Sequence, residues 1–183
     1  MQRLSTVDPA EAQGRTKELL DDAQRAFGMI PNAVKVFAHS PAALDSYLTF
    51  TAKMQGGTLD PTLHYLVKLH TSQTNDCDYC TSILCAIGSD TGVSAEEILS
   101  GRTGQSDDQR TQAALRFAEA VLEKRGKVSD DELAAVRGAG FGDAEIVEIV
   151  ASVVHGCLTN FVNNVAGTEL DIPRAESIAS LAG

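Results

Sequence analysis

Cys77 and Cys80 stand three residues apart in "SQTNDCDYCTSILCAIG", residues 72–88, where a polar stretch gives way to an apolar one. On a helix such a pair lies roughly 300° apart, on adjacent turns of one face, within reach of a disulfide after modest adjustment. Three chemistries are open to it: a redox dithiol, half of a metal site, or two small apolar residues in a core. Free amides at a helix N-terminus favour thiolate, and that field favours Cys77 most. A zinc site needs two further ligands. Cys85 lies about 80° round the same helix from Cys77, and His155 and Cys157 belong to a distant segment, so no four-ligand set is apparent. In an intracellular protein C-x-x-C favours a redox pair, but the thioredoxin version needs a βαβ setting that this pattern lacks.

The elements that must position the pair are helices. Asp8-Pro9, Ser40-Pro41 and Asp60-Pro61 each offer a capping residue followed by proline at the first helical position. The first segment is expected to start after Asp8 and run to Gly28, with Leu20, Ala23 and Phe27 on one face. The second carries Leu44, Tyr47, Leu48, Thr51 and Met54, and ends at Gly56-Gly57. The third carries Leu63, Leu66, Val67 and His70 and gives out near Thr74-Asn75, so the cysteines open the next helix. Ser94 with Glu97, Ser106 with Gln109, and Ser129 with Glu132 fit the capping-box spacing. A long helix after Asp143 carries Ile146, Ile149, Val150 and Val153 to Gly167. No segment alternates like a strand, and no linker divides residues 1–183, which read as a single all-α domain.

Composition narrows the function classes. The 183 residues are 43% hydrophobic with a net charge of −10, enough to bury a core and adverse to phosphate backbones, so nucleic acid is not an expected partner. No leader or membrane-spanning run is read, and the expected location is cytoplasmic with no membrane association. Four cysteines are too few for a disulfide scaffold.

"PTLHYLVKLH" followed by "SQTNDCDYC" resembles the core of the alkylhydroperoxidase D-like branch of the carboxymuconolactone decarboxylase family. "GMIPNAVKVFAHSPAALDSYLTF", "ALRFAEAVLEKRGKVSDDELAAVRGAGFGDAEIVEIV" and "TNFVNNVAGTELDIP" resemble flanking segments of its longer, peroxidase-related members, over residues 25–173. The resemblance implies an alkylhydroperoxidase D-like helical fold of two related helical units, assembled as a homotrimer or homohexamer. It implies a dithiol antioxidant enzyme in which Cys80 attacks a hydroperoxide or partner disulfide and Cys77 closes the disulfide, a thiol or dithiol donor then restoring the pair. No cofactor or metal is called for. The family's proton relay places a glutamate twelve residues before the first cysteine and a histidine four after the second; here those positions hold Tyr65 and Leu84. A relay matters because thiolate is the nucleophile and the departing alkoxide takes a proton. Tyr65, His155 and His64 are the auxiliary candidates: His155 reaches the pair only through tertiary packing, and His64, about 100° round the helix from Tyr65, reads like His70 as a solvent-facing or core-edge histidine. Asn160 and Asn163, one turn apart in an apolar helix, are expected to bind backbone or a neighbouring subunit. The alternative reading is a non-catalytic helical oligomer acting as a thiol redox sensor or metal-binding protein.

Overall fold

Proline costs nothing at a helix's first position, where its missing amide would have no intrahelical partner. Pro41 and Pro61 use that allowance in the computed structural model, which describes residues 2–181. The helices are α1 (Gly14–Phe27), α2 (Asn32–Phe37), α3 (Pro41–Met54), α4 (Pro61–Thr74), α5 (Asp78–Thr91), α6 (Ala95–Thr103), α7 (Gln109–Lys124), α8 (Asp130–Gly138), α9 (Asp143–Ala166) and α10 (Ile178–Leu181). Among the described residues there is no strand.

Most starts follow the capping chemistry read from sequence. Ser40 accepts from Ala43 N, Asp60 accepts from Thr62 N and Leu63 N, and Ser94 and Ser129 form complete boxes with Glu97 and Glu132. Two expectations fail. α1 begins at Gly14, not after Asp8: Gly14 holds φ +54, a left-handed setting that interrupts any helix entering from Pro9, and the Asp8 carboxylate is spent on the Ala10 amide of a separate turn. α7 is capped by Asp108, which accepts from Thr111 N, while the Ser106 hydroxyl receives only the Asp108 amide. A side chain at the true cap outcompetes one two residues upstream.

Two apolar cores lie on either side of α9. One gathers Leu63 and Val67 of α4, Phe117 and Val121 of α7, Val136 of α8, and Ile149 and Val153 of α9. The other gathers Leu19, Leu20, Val34, Phe37 and Leu44 from α1–α3, with Leu158 and Val162 of α9 packed against it. By length and a mean hydropathy of 1.4 over its best window, α9 is apolar enough to cross a membrane, which the sequence reading overlooked because polar residues interrupt it. Here it lies against α4, and its buried face carries Ser152, His155, Asn160 and Asn163.

The α4–α9 approach depends on Gly156. A methyl group there would meet Thr71 Cγ2 at 2.9 Å and Cβ at 3.0 Å. Thr71 is buried, β-branched and tied to Val67 O, so it has little room to yield. Gly156→Ala gains about 1 kcal/mol of helix propensity but overpacks a core contact at about 1–3 kcal/mol. A lower urea midpoint with an unchanged slope is expected; an unchanged or raised midpoint would show that the two helices can separate freely.

Candidate functional site

The cysteines owe their placement to the turn that joins α4 to α5. After Thr74 the chain passes through Asp76 at φ 49, and the Cys77 amide reaches back to Ser72 O at 3.0 Å. Asp tolerates this left-handed setting better than most residues, and the turn brings the next helix back along α4, where Tyr65 meets Leu84. Cys77 thereby becomes the N-cap of α5, its sulfur accepting from Cys80 N at 3.4 Å. The pair is buried, at 1% and 4% exposure for Cys77 and Cys80, and both thiols are free.

The facing wall comes from the last turns of α9. Asn163 Nδ2 donates to Cys80 Sγ at 3.2 Å, and its oxygen is held by the Thr168 hydroxyl at 2.7 Å. Asn160 donates to Ser72 Oγ and accepts from Asn75 Nδ2, both at 2.9 Å. The two buried amides thus bond side chains around the thiols, contrary to the expected backbone or subunit partners. A pair of asparagines one turn apart in an apolar helix was the visible signal; their common target was not.

Electrostatics divides the two thiols. Cys80 falls to about 7: the Cys77 hydrogen bond lowers it most, burial opposes, and Asn160, Asn163 and Thr159 add further lowering. Cys77 is pushed up, by its hydrogen bond with Cys80 first and by burial second. The N-terminal field was expected to favour Cys77; instead Cys77 keeps its proton and donates to the thiolate of Cys80, which also faces the amides of α9. Lys68 adds a charge that the sequence did not flag. Desolvation lowers its ammonium to about 8, and the charge of Cys80 pulls the other way. Attraction is mutual, so Lys68 also favours the Cys80 thiolate.

The auxiliary candidates lie elsewhere. Tyr65 donates to Leu84 O at 3.0 Å and is pushed up, by burial and then by Cys85, so the two positions of the family's relay meet but their polar contact ends on backbone. His155 is wholly buried, stacked on Phe50 at 4.6 Å with Nε2 against Thr51 Oγ1 at 3.1 Å; His64, half-buried, places Nδ1 2.6 Å from Ser152 Oγ. Burial, and then the charge of Lys68, lowers His64 to about 4 and His155 to about 3, so both rings are neutral at pH 7. Neither hydrogen-bonds a sulfur. His70, expected at a surface or core edge, is 5% exposed beneath Gly104. Cys85 and Cys157 are half-buried and pushed up mainly by burial; Cys157 accepts from Asn75 Nδ2 at 3.6 Å. Among the described residues no three His, Cys, Asp or Glu side chains gather as a metal-binding group.

The segment after α9 crosses the pair as a strap. Leu170 packs against the small cluster of Cys77, Tyr79 and Cys80. Asp171 accepts from the Tyr79 hydroxyl at 2.8 Å and from Asn32 N at 2.6 Å. Arg174 pairs with Asp78, Ala175 N donates to Ser82 Oγ at 3.0 Å, and buried Arg102 donates to Glu176 O at 2.6 Å. Between strap, α5 and α9 lies a cavity of about 470 Å³.

The carboxymuconolactone decarboxylase family matches this sequence over residues 39–124, a stretch that includes α3, α4 and the cysteine helix. No curated protein matches the sequence. Among solved structures, the fold is similar to the alkylhydroperoxidase AhpD core of a peroxidase-related protein from Ralstonia eutropha, at 22% identity and TM-score 0.82 over 93% of this chain and 92% of that one. It is also similar to a peroxidase-related protein from Silicibacter, at 18% identity and TM-score 0.76 over 92% of this chain and 94% of that one. The debrominase Bmp8 matches at 16% identity and TM-score 0.77 over 97% of this chain and 94% of that one. The all-helical architecture is therefore the alkylhydroperoxidase D-like fold.

Proposed function

We propose that this chain is a dithiol oxidoreductase that reduces hydroperoxides or partner disulfides, with Cys80 as nucleophile and Cys77 as resolving thiol. The observation that carries this reading is the division of the pair: a Cys80 sulfur at 3.2 Å from the Asn163 amide and lowered to about 7, beside a Cys77 thiol held protonated. Cys80 thiolate attacks one oxygen of the peroxide, the O–O bond breaks, and the departing alkoxide takes a proton, leaving Cys80 as a sulfenic acid. Cys77 then attacks that sulfur, water leaves, and the disulfide forms. A thiol or dithiol donor returns two electrons. Lys68, whose ammonium burial lowers to about 8 while the charge of Cys80 attracts it, is assigned as the proton source in place of the absent glutamate–histidine relay. A pair that must be reduced again after each cycle suits a cytoplasmic setting.

Turnover separates this reading from a passive thiol sensor. With dithiothreitol as donor, the protein is expected to consume many equivalents of cumene hydroperoxide or of a small disulfide per chain, and Cys80→Ser none. Consumption of a single equivalent would make it a sensor, and none at all would end the dithiol reading.

Self-association is part of the proposal. Val147, Val154, Phe161 and Val165 are 66%, 53%, 55% and 55% exposed along α9. The first three are seven residues apart, so they form one apolar stripe, the kind of surface that subunits bury. Light scattering is expected to give a trimer or hexamer, and Val154→Glu with Phe161→Glu to dissociate it. A wild-type monomer at micromolar concentration would remove this part.

A further inference from the structure

The cavity beneath the strap bears on what reaches Cys80. Its lining includes Asp76, Asp78, Tyr79, Asn163, Glu169 and Arg174. Asn163 is its link to the chemistry: one side chain both faces the cavity and donates to Cys80 Sγ at 3.2 Å, so the cavity ends one amide away from the sulfur. Tyr79, between the two cysteines in sequence, forms another part of the wall and is fixed by Asp171. At about 470 Å³ the space matches a small molecule. Three carboxylates and one guanidinium line it, and the guanidinium is engaged with Asp78, leaving two negative charges uncompensated.

We infer that this cavity is the entry to Cys80 and selects small cationic disulfides over anionic ones; the inference rests on the dithiol reading above and specifies its substrate. A cleft lined by one sign of charge concentrates counter-charged solutes and speeds their encounter, by about tenfold or more at low ionic strength. A diamino disulfide enters with both ammonium groups attracted, whereas a disulfide bearing carboxylates is repelled. As Asn163 swings aside, Cys80 thiolate attacks one sulfur, the S–S bond breaks, and the first thiol leaves as thiolate and takes a proton. Cys77 gives up its proton and attacks Cys80, releasing the second thiol. The substrate gains two electrons and the protein pair loses them.

The test oxidises pre-reduced full-length protein with cystamine (cationic), bis-hydroxyethyl disulfide (neutral) and oxidised glutathione (anionic). Each rate is divided by that of the same disulfide with free dithiothreitol, which removes intrinsic reactivity. The normalised order is expected to be cystamine, neutral, glutathione, with about tenfold between the extremes at low salt and little difference at high salt. Asp76→Asn with Glu169→Gln should cut that ratio about threefold or more, whereas Asp130→Asn with Asp131→Asn on the exposed start of α8 should leave it nearly unchanged. Equal normalised rates, or a ratio that moves as much with the α8 pair as with the cavity pair, would overturn the charge preference while leaving the dithiol reading standing. Absence of Cys80-dependent oxidation by all three would overturn the dithiol reading itself.

Discussion

Reduced protein is expected to consume hydroperoxide about sixfold faster at pH 7.5 than at pH 6 and to slow again above pH 8, because Cys80 gains its thiolate around its value of about 7 while Lys68, the proton source, loses its proton around 8. The sign follows from the nucleophile: below its pKa the sulfur is protonated and each unit of acidification removes roughly nine-tenths of the remaining thiolate. Cys77 lowers the Cys80 value most, and among the donors of α9 that follow, Asn163 is the one placed directly on the sulfur, at 3.2 Å. Asn163→Leu keeps the volume and removes the donor. A hydrogen bond to a charged group contributes about 1.5–3 kcal/mol, and one pKa unit corresponds to about 1.4 kcal/mol. The acid limb of the profile should therefore move up by about one to two units, and the rate at pH 7 fall about five- to fiftyfold. Initial rates and ultraviolet thiolate absorbance across the pH range check both statements. A flat wild-type profile, or an Asn163→Leu profile that coincides with it, would mean that Cys80 is not activated by the wall of α9.

Alkylation of Cys80 by iodoacetamide should quicken about tenfold in Asp171→Ala. Cys80 is 4% exposed and Leu170 packs against the cluster it forms with Cys77 and Tyr79, so opening the strap, which also walls the cavity, widens the way to it. Asp171 fastens that strap at two points, the Tyr79 hydroxyl and the Asn32 amide. Charge-assisted bonds of this kind contribute about 1.5–3 kcal/mol each when shielded, but Asp171 is exposed, so about 1.4 kcal/mol for the two together is the fitting scale. That corresponds to a tenfold larger open population. Cys157, on α9 and outside the strap's contacts, serves as the internal reference and should react at its wild-type rate. An unchanged Cys80 rate would mean that access does not depend on the strap.

Local chemistry explains which features were legible from sequence. Ser40, Asp60, Ser94 and Ser129 declare their helices because a cap acts within three residues, and the opening of α5 at the cysteines follows from where α4 loses its apolar face. Asp8 and Ser106 misled because the same local signal also stabilises turns. α2 was missed because six residues are too few to show a period. At the site, the pair itself and the departure from the family's relay at Tyr65 and Leu84 were visible. The contacts of Asn163 with Cys80, 83 residues away in sequence, and of Asp171 with Tyr79, 92 residues away, belong to tertiary packing and have no local pattern. Lys68 was hidden for a related reason. A lysine on an amphipathic helix ordinarily faces water, and only the packing around it shows its charge brought near Cys80.

A helix N-terminus alone is worth about 0.3–1 kcal/mol to a thiolate; the Cys80 thiolate draws further on the Cys77 thiol at the cap of its own helix, and after it on Asn160, Asn163 and Thr159 of α9. It is the Cys80 sulfur, not Cys77 at the cap, that gains.

Non-reducing peptide mapping of the protein after one equivalent of hydroperoxide tests the central claim most directly. The division of roles between the thiols predicts a Cys77–Cys80 disulfide with Cys85 and Cys157 still alkylatable; Cys77 joined mainly to Cys157, or all four thiols free after the peroxide has been offered, would contradict it.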